Sequence, residues 1–314
     1  MESLSKNRVY VIIVTYNAMK WIDKCLGSLR NSNMPVFPIV VDNLSKDETV
    51  KHINQSYPEV LLIINQENKG FGQANNQGIE YAYTNGATHF FLLNQDAWIL
   101  PDTIEKLITI QTKYHLGIVS PIHLNGKGLD IDINFKRYIT NDVKFDGEII
   151  KDMLLNKKQD HYVVPRINAA AWMISRDIIE NIGGFDPVFF LYGEDDNYLQ
   201  RLHYHGYKLA FVPDSFIHHD RLIHGDAKTF KKMELRNWLV GSYTNINICL
   251  YAFTKRRFFW HMMTVYLFFK YLFFFKIKSS IGVVGSFIDY LKAWPQIIRS
   301  RKVNKQKGAN WLSI

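Results

Sequence analysis

The 314-residue chain has only two cysteines, Cys25 and Cys249, far apart in sequence. This spacing suggests no disulfide framework, and a reducing, cytoplasmic setting is the default expectation. Long apolar runs are also missing. The opening stretch MESLSKNRVYVIIVTYN is too short in its apolar part, and lacks the small-residue cleavage site, for a secretory leader. The most apolar segment, FFWHMMTVYLFFKYLFFFKIK, is interrupted by Lys270. Its unbroken part falls short of the roughly 20 residues needed to cross a bilayer. There is no internal repeat and no low-complexity tract. Acid is nearly absent from the tail. From Lys255 onward twelve Lys/Arg stand against the single acid Asp289, a local balance of +11 within the overall +9, so the preceding residues net −2. A uniformly basic nucleic-acid binder would not divide its charge this way, and no nucleic-acid partner is expected.

What is present reads as strand alternating with helix. Val9–Val14 is an apolar, largely β-branched run that ends in Thr15-Tyr16-Asn17, which fits a buried parallel strand with a polar tip. Trp21, Cys25, Leu26 and Leu29 follow at helical spacing. A second strand, Val36–Val41, ends in Asp42-Asn43, and Ser45 with Glu48 predicts a capping box for the next helix. A third strand, Val60–Ile64, leads to Asn68-Lys69-Gly70-Phe71-Gly72, with Asn75, Asn76 and Gly78 on a helix after it. A fourth strand, His89–Leu93, ends in Asn94-Gln95-Asp96, and Pro101 suits the first turn of a helix running to about Tyr114. The pattern predicts an α/β fold, a mostly parallel sheet with helices on both faces. In such sheets ligands bind beyond the carboxyl ends of the strands, where these polar tips converge. Residues 123–165 are polar and irregular and read as an insertion over the site, a mobile lid or acceptor loop. Arg166–Ser175 returns to the core.

The stretch Gly183–Asp220 carries the densest chemistry. A Gly-Gly turn is followed by Phe185, Phe189, Phe190 and Tyr192, then by Glu194, Asp195 and Asp196 at the expected first turn of a helix that stops at Gly206. Plain capping explains acids at a helix start. The aromatic wall adds a second reading, a carboxylate whose pKa is raised toward a general base's range. A short strand, Lys208–Val212, then leads to Pro213 and the pair His218-His219.

GGFD, then FF, then EDxx, then a downstream Pro and His, resembles the second half of the catalytic domain of family-2 glycosyltransferases. The resemblance implies an A-type glycosyltransferase fold with a Rossmann-like nucleotide-binding half, and an inverting, metal-dependent hexosyltransferase that uses a UDP- or dTDP-linked sugar. It places the catalytic base on Asp195. Thr15, Tyr16, Asn17 and Asp42 would recognise the nucleobase, with Tyr16 stacking on it and Asp42 accepting from its ring N–H. Asn68, Lys69, Gly70 and Asn75 of the NKGFGxxxN segment would lie near the ribose and diphosphate. Asn94 and Asp96 occupy the place of the DxD motif, with Asp96 and His219 as ligands of Mn²⁺ or Mg²⁺. The family often reads EDxD, whereas this chain has Asn197 at the last position.

Rival readings are weaker on the residues. GFGQAN lacks the third glycine of a dinucleotide fingerprint and follows the third strand, not the first. His218, His219 and His224 lack the spacing of a helical zinc site, with no cysteine nearby. A sugar-nucleotide pyrophosphorylase would need a Gly- and basic-rich loop after the first strand, and TYNAMKW is not one. A catalytically silent nucleotide-sugar-binding or scaffold protein would be expected to have lost Asp96 or Asp195. The expected organisation is a catalytic domain over residues 1–230 and a helical, basic, aromatic region over 231–314. Lys255-Arg256-Arg257, Trp260, Tyr266 and Tyr271 fit a helix lying in an anionic membrane surface. Packing on the catalytic domain or on a second subunit, a homodimer, is the alternative. The expected setting is peripheral, on the inner face of the cell membrane, with a glycan or lipid-linked acceptor and a role in bacterial surface-polysaccharide synthesis.

Overall fold

A computed structural model describes residues 7–140, 149, 151–152, 154–221 and 232–314. The first half is a parallel array. Strands β1 (Val9–Thr15), β2 (Val36–Asp42), β3 (Leu61–Ile64) and β4 (His89–Leu93) lie in the order β3-β2-β1-β4. Helices α1 (Ile22–Arg30), α2 (Thr49–Ser56) and α3 (Gly70–Thr84) connect them. The unbroken apolar run of β1 follows from burial on both faces. Ile12 joins one core with Ile39, Val41 and Phe90, while Val11 and Ile13 join another with Val40 and Phe91.

One expectation fails at α2. Ser45 and Glu48 form no capping box: the Ser45 N–H donates to Asp42 Oδ1 at 2.8 Å, the Ser45 Oγ accepts from the Asn17 N–H at 2.8 Å, and the helix begins only at Thr49. Asp47 serves the helix start instead, accepting from the Thr49 N–H at 3.1 Å.

The second half extends the same sheet with mixed pairing. Strands β5 (Ala97–Ile99), β6 (Ile118–Asn125), β7 (Tyr162–Val164), β8 (Ala171–Ser175) and β9 (Leu209–His219) complete nine strands, in the order β3-β2-β1-β4-β8-β6-β9-β5 with β7 beside β9. β8 runs antiparallel to β4 and β6, whereas β6 and β9 are parallel. Helix α4 (Thr103–Tyr114) links β5 to β6.

Two expectations are corrected here. The stretch 123–165 is not simply an irregular cover: β6 runs into it, α5 (Ile133–Thr140) and β7 lie within it, and Phe135, Tyr162 and Val164 are buried in the main core. Its residues 141–148, 150 and 153 lie outside the described ones. The strand expected to stop at Val212 continues through Pro213 to His219, because the register against β6 skips from Val212 to Phe216. The residues between bulge out, which accommodates a proline that cannot donate to the ladder.

Helices α6 (Arg176–Ile182) and α7 (Glu194–Tyr204) flank the GGFD turn. The remainder is helical: α8 (Lys232–Thr244), α9 (Leu250–Phe273), α10 (Ile277–Lys292) and α11 (Trp294–Asn304). Their core contains Leu239, Tyr243, Val283, Tyr290 and Ile297, but also Val188 and Phe189 from the turn before α7. The last segment docks on that turn as well. Asp186 Oδ2 accepts from Ser300 Oγ at 2.5 Å and from Asn304 Nδ2 at 2.9 Å. A side chain at Gly183, whose φ is +81°, would stand 2.0 Å from the Asn310 carbonyl. The helical region and the catalytic half therefore share packed surfaces. No helix among the described residues is long and apolar enough to cross a membrane.

Candidate functional site

Helix α7 presents the three successive acids. Gly193, in the left-handed region at φ 97°, turns the chain into the helix. Arg201 is buried and anchors α7 to the preceding turn, donating to the Ile182 carbonyl at 2.8 Å and the Gly184 carbonyl at 2.6 Å. Burial raises the pKa of Asp195, an effect that Arg166 and the backbone N–H of Asp196, 2.8 Å from Oδ1, partly oppose. Glu194 is pushed up to about 8 by burial and by the negative charge of Asp195. Asp196 rises to about 6 for the same two reasons, opposed by Arg166. Arg166 grips Asp196 with two nitrogens, Nε at 2.6 Å and Nη2 at 2.9 Å, and lies over the Tyr138 ring. These carboxylates open onto a cavity of about 660 Å³ whose wall includes Asn94, Arg166, Arg221, Trp238 and Trp260.

The strand tips of the parallel half are tied mostly to one another. Asp42 is fully buried, and its carboxylate accepts from Thr15 Oγ1 at 2.8 Å, from the Ser45 N–H at 2.8 Å and from Ser45 Oγ. Three of its about four acceptor sites are thus taken within the protein, and its burial keeps a base from the fourth without local movement. Asn17, in the left-handed region at φ 53°, accepts from the Lys46 N–H, and its own N–H donates to Ser45 Oγ. Tyr16 is 45% exposed, so its ring face is open. Asn68 Oδ1 accepts from the Gly70 N–H at 2.9 Å, and the Lys69 N–H reaches Asn43 Oδ1 at 3.3 Å. Asn75 is buried and donates to the Phe71 carbonyl within its own helix, away from the tips. Gly70 sits at φ +78°, and a Cβ there would stand 1.9 Å from the Phe190 carbonyl. The glycine thus lets α3 close against the aromatic turn that leads to Asp195.

Asp96 and His219 meet through strand pairing. Ala97 lies opposite His219 across β5 and β9, which brings Asp96 Oδ1 to 3.3 Å from His219 Nε2. Two ligands at right angles on one divalent ion, with bonds of about 2.1 Å, stand about 3.0 Å apart. The pair therefore fits adjacent coordination positions. Asn94 Nδ2 is 3.4 Å from the same Nε2. Behind the ring, Asp132 Oδ2 lies 3.9 Å from Nδ1, beyond hydrogen-bond distance, so Nδ1 has no partner among the described residues, and Arg221 Nε holds Asp132 at 2.9 Å. Among the described residues no third His, Cys, Asp or Glu completes a closed cage. Asp96 and His219 would offer an ion one carboxylate and one imidazole, a set that suits a hard divalent cation only if phosphate oxygens and water supplied the other positions. His218 points to the other face of β9 and stacks on Trp98 at 5.3 Å. His224 lies outside the described residues.

Several participants carried no sequence signal. Gln95 pairs with the Tyr16 backbone, accepting from its N–H at 2.7 Å and donating to its carbonyl at 3.3 Å. Arg166, Asp132 and Arg221 are distant in sequence from the acids and the histidine they contact. Trp238 and Trp260 come from the helical tail. Gln95 had a signal after all, its place between Asn94 and Asp96, and Trp260 was read from the sequence only as part of an aromatic helix face.

The model of the Glycosyl transferase family 2 matches residues 10–183. The chain is 26% identical over 209 residues, 66% of its length and 67% of the relative's, to a dTDP-rhamnosyl transferase of Shigella flexneri. It is 23% identical over 233 residues, 67% of its length and 75% of the relative's, to the N-acetylglucosaminyl-diphospho-decaprenol L-rhamnosyltransferase of Mycobacterium tuberculosis. Across such relatives the aligned stretch spans between 16% and 75% of their length. The fold is similar to that of a Pyrobaculum calidifontis mannosyltransferase solved with GDP-Man and Mn²⁺, with a TM-score of 0.58 at 15% identity over 90% of this chain and 87% of that one. The family match runs from β1 through the polar strand tips of the parallel half and Asp96 to Gly183, more than half of the sequence: this chain belongs to glycosyltransferase family 2.

Proposed function

We propose that this chain transfers a hexosyl or deoxyhexosyl group from a nucleoside-diphosphate sugar to a hydroxyl of a glycan or lipid-linked acceptor, in one inverting displacement. The observation that carries the reading is Asp195, a carboxylate with raised proton affinity at the wall of a 660 Å³ cavity. Tyr16, with its open ring face, stacks on the nucleobase, while Thr15, Asn17 and Asp42 build the ledge beneath it. Asn68, Lys69 and Gly70 border the ribose and diphosphate. Asp96 and His219 hold Mn²⁺ or Mg²⁺ when it binds, and the ion supplies electrostatic stabilisation of the departing diphosphate.

The protein's own part in the chemistry is proton removal and positioning. The Asp195 carboxylate takes the proton of the acceptor hydroxyl as that oxygen forms its bond to the anomeric carbon. The bond from that carbon to the diphosphate oxygen breaks on the opposite face, and its electron pair leaves with the nucleoside diphosphate. Arg166, lying over the Tyr138 ring and holding Asp196, keeps the first turn of α7 in place. Names among the relatives support a dTDP- or UDP-linked donor and a prenyl-diphosphate-linked sugar as acceptor, and the setting we propose is bacterial surface-polysaccharide synthesis.

The outer faces of α9 and α10 dock on the inner leaflet of an anionic membrane. Phe258, Phe269, Phe273, Phe275, Ile277 and Ile281 are exposed there, amid Lys270, Lys276 and Lys278. Apolar burial and attraction of basic residues to anionic headgroups act together on such a surface. Because Ser300 and Asn304 bond Asp186, substitutions such as Phe269→Glu and Phe273→Glu test this more cleanly than deletion of the tail. Co-sedimentation with phosphatidylglycerol vesicles should be lost in that pair. A salt-resistant dimer broken by the same substitutions would assign the face to a second subunit.

A donor screen following nucleoside-diphosphate release, with and without Mn²⁺, tests the transferase reading. Release from at least one sugar nucleotide, stimulated by the ion, is expected. Silence across UDP-, dTDP- and GDP-sugars in both conditions would overturn it.

A further inference from the structure

Helix α8 turns one face into the catalytic cavity, where Trp238, Gly241 and Ser242 form part of the wall, joined by Asn245 just past the helix end. The i, i+3, i+4 spacing of the first three marks one helical stripe. Leu235, Leu239, Val240 and Tyr243, on the remaining surface of the helix, enter the core shared with Val188 and Phe189.

Packing does not explain two features of the stripe. Trp238 is 64% exposed although it lines the same cavity as Asp195. Gly241 lies inside the helix, where glycine is less stable than alanine. A Cβ at Gly241 would meet nothing within 4 Å, and its backbone is not in the left-handed region. Neither conformation nor close packing requires the glycine, and the room above it belongs to the cavity. Trp260 of α9 stands beside Trp238, ring centroids 6.3 Å apart and planes inclined at 59°, so the two indoles make an aromatic corner. Elsewhere on the wall, Asn168 Oδ1 and Gln200 Oε1 are buried without a hydrogen-bond partner among the described residues.

We propose that this corner is an acceptor subsite for a pyranose ring. An indole face suits the C–H face of a sugar, since it offers a large apolar area beside polar groups that can fix orientation. Gly241 leaves depth for the ring, and Asn168 and Gln200 accept from its hydroxyls. A ring held this way keeps one hydroxyl toward Asp195, the positioning that a displacement needs. The proposal rests on the transferase reading and adds to it the acceptor class, a saccharide gripped by the C-terminal helices. Trp238, Gly241 and Trp260 are positioning residues.

The test uses the full chain and saturation-transfer NMR with methyl glycosides of glucose, galactose, N-acetylglucosamine and rhamnose. The wild type should contact at least one of them, with transfer strongest on protons of one ring face. Gly241→Leu fills the space with a better helix former and should abolish that contact. Trp238→Ala, at an exposed position where folding is not at stake, should weaken it by about tenfold, with partial rescue in Trp238→Phe. Calorimetric donor affinity should change by less than about twofold in the same variants, because the stripe lies on the acceptor wall. No contact with any glycoside in the wild type, or undiminished contact in folded Gly241→Leu, overturns the subsite. So does a parallel fall in donor affinity, which would give the corner to the donor. A protein that binds glycosides through this corner yet releases nucleoside diphosphate from no donor would overturn the transferase reading alone and leave the saccharide site standing.

Discussion

At the tip of β2 the Asp42 carboxylate is wholly buried and accepts from Thr15 and twice from Ser45. At the first turn of α7 the Glu194 carboxylate is almost as buried, yet its Oε2 has no partner among the described residues, and it sits beside two further acids. The strand tips of the parallel half form a network in which Asn43 and Gln77 also bond Asn65. The wall around α7 leaves atoms of Glu194, Asn197, Asn168 and Gln200 without partners. A satisfied buried carboxylate stabilises a ledge, whereas a crowded and desolvated one stores proton affinity. The first arrangement suits a platform on which a ligand rests. The second suits a group that must take up a proton.

The difference can be broken at four places. Asp195→Asn removes the proton acceptor at nearly constant shape. Transfer should fall by about 100-fold or more while donor affinity in calorimetry stays close to wild type. Near-normal turnover would move the base to Glu194. Asp42→Ala orphans the Thr15 and Ser45 donors, so urea unfolding should show a loss of about 3 kcal/mol. If stability is unchanged and only nucleotide affinity drops, Asp42 is a ligand and not a ledge.

Glu194→Gln sharpens the contrast through pH. The folded pKa of about 8 lies above the ordinary 4.5, so the folded protein holds a proton that the unfolded chain gives up. The associated stability is fully present below about pH 4.5 and is lost as pH rises toward 8. Glutamine carries no such loss, and the variant should gain about 2 kcal/mol over wild type between pH 4.5 and pH 8. Parallel pH–stability curves for the two proteins would show that Glu194 is ionised in the fold at neutral pH. Asp96→Ala should weaken Mn²⁺-dependent donor binding by about tenfold and leave the ion-free affinity alone. Equal ion-dependent binding in both proteins would remove Asp96 from the metal site.

Much of the parallel half was legible in the chain, because a sheet buried on both faces demands continuous apolar runs and its loops must break them with polar residues. Val9–Val14 before Thr15-Tyr16-Asn17, and His89–Leu93 before Asn94-Gln95-Asp96, show this directly. The capping box misled because the Ser45 N–H has a carboxylate three residues away on either side, Asp42 and Glu48, and the loop after β2 turns it to Asp42. The strand beyond Pro213 was missed because proline ends a ladder by local rules, while a bulge against β6 allows it to resume.

Local sequence by itself determined the strand–helix alternation, the three acids at a helix start, the glycine turns and the charge of the tail, because each depends on residues a few positions apart. Tertiary structure alone decided which of those residues meet. Ala97 pairs with His219 across more than a hundred residues and so brings Asp96 to the imidazole. Arg166 reaches Asp196, Ser300 and Asn304 close on Asp186, and Trp238 and Trp260 wall the cavity. Contacts of that kind are fixed by sheet order and by the packing of distant helices, and no local pattern of residues encodes them.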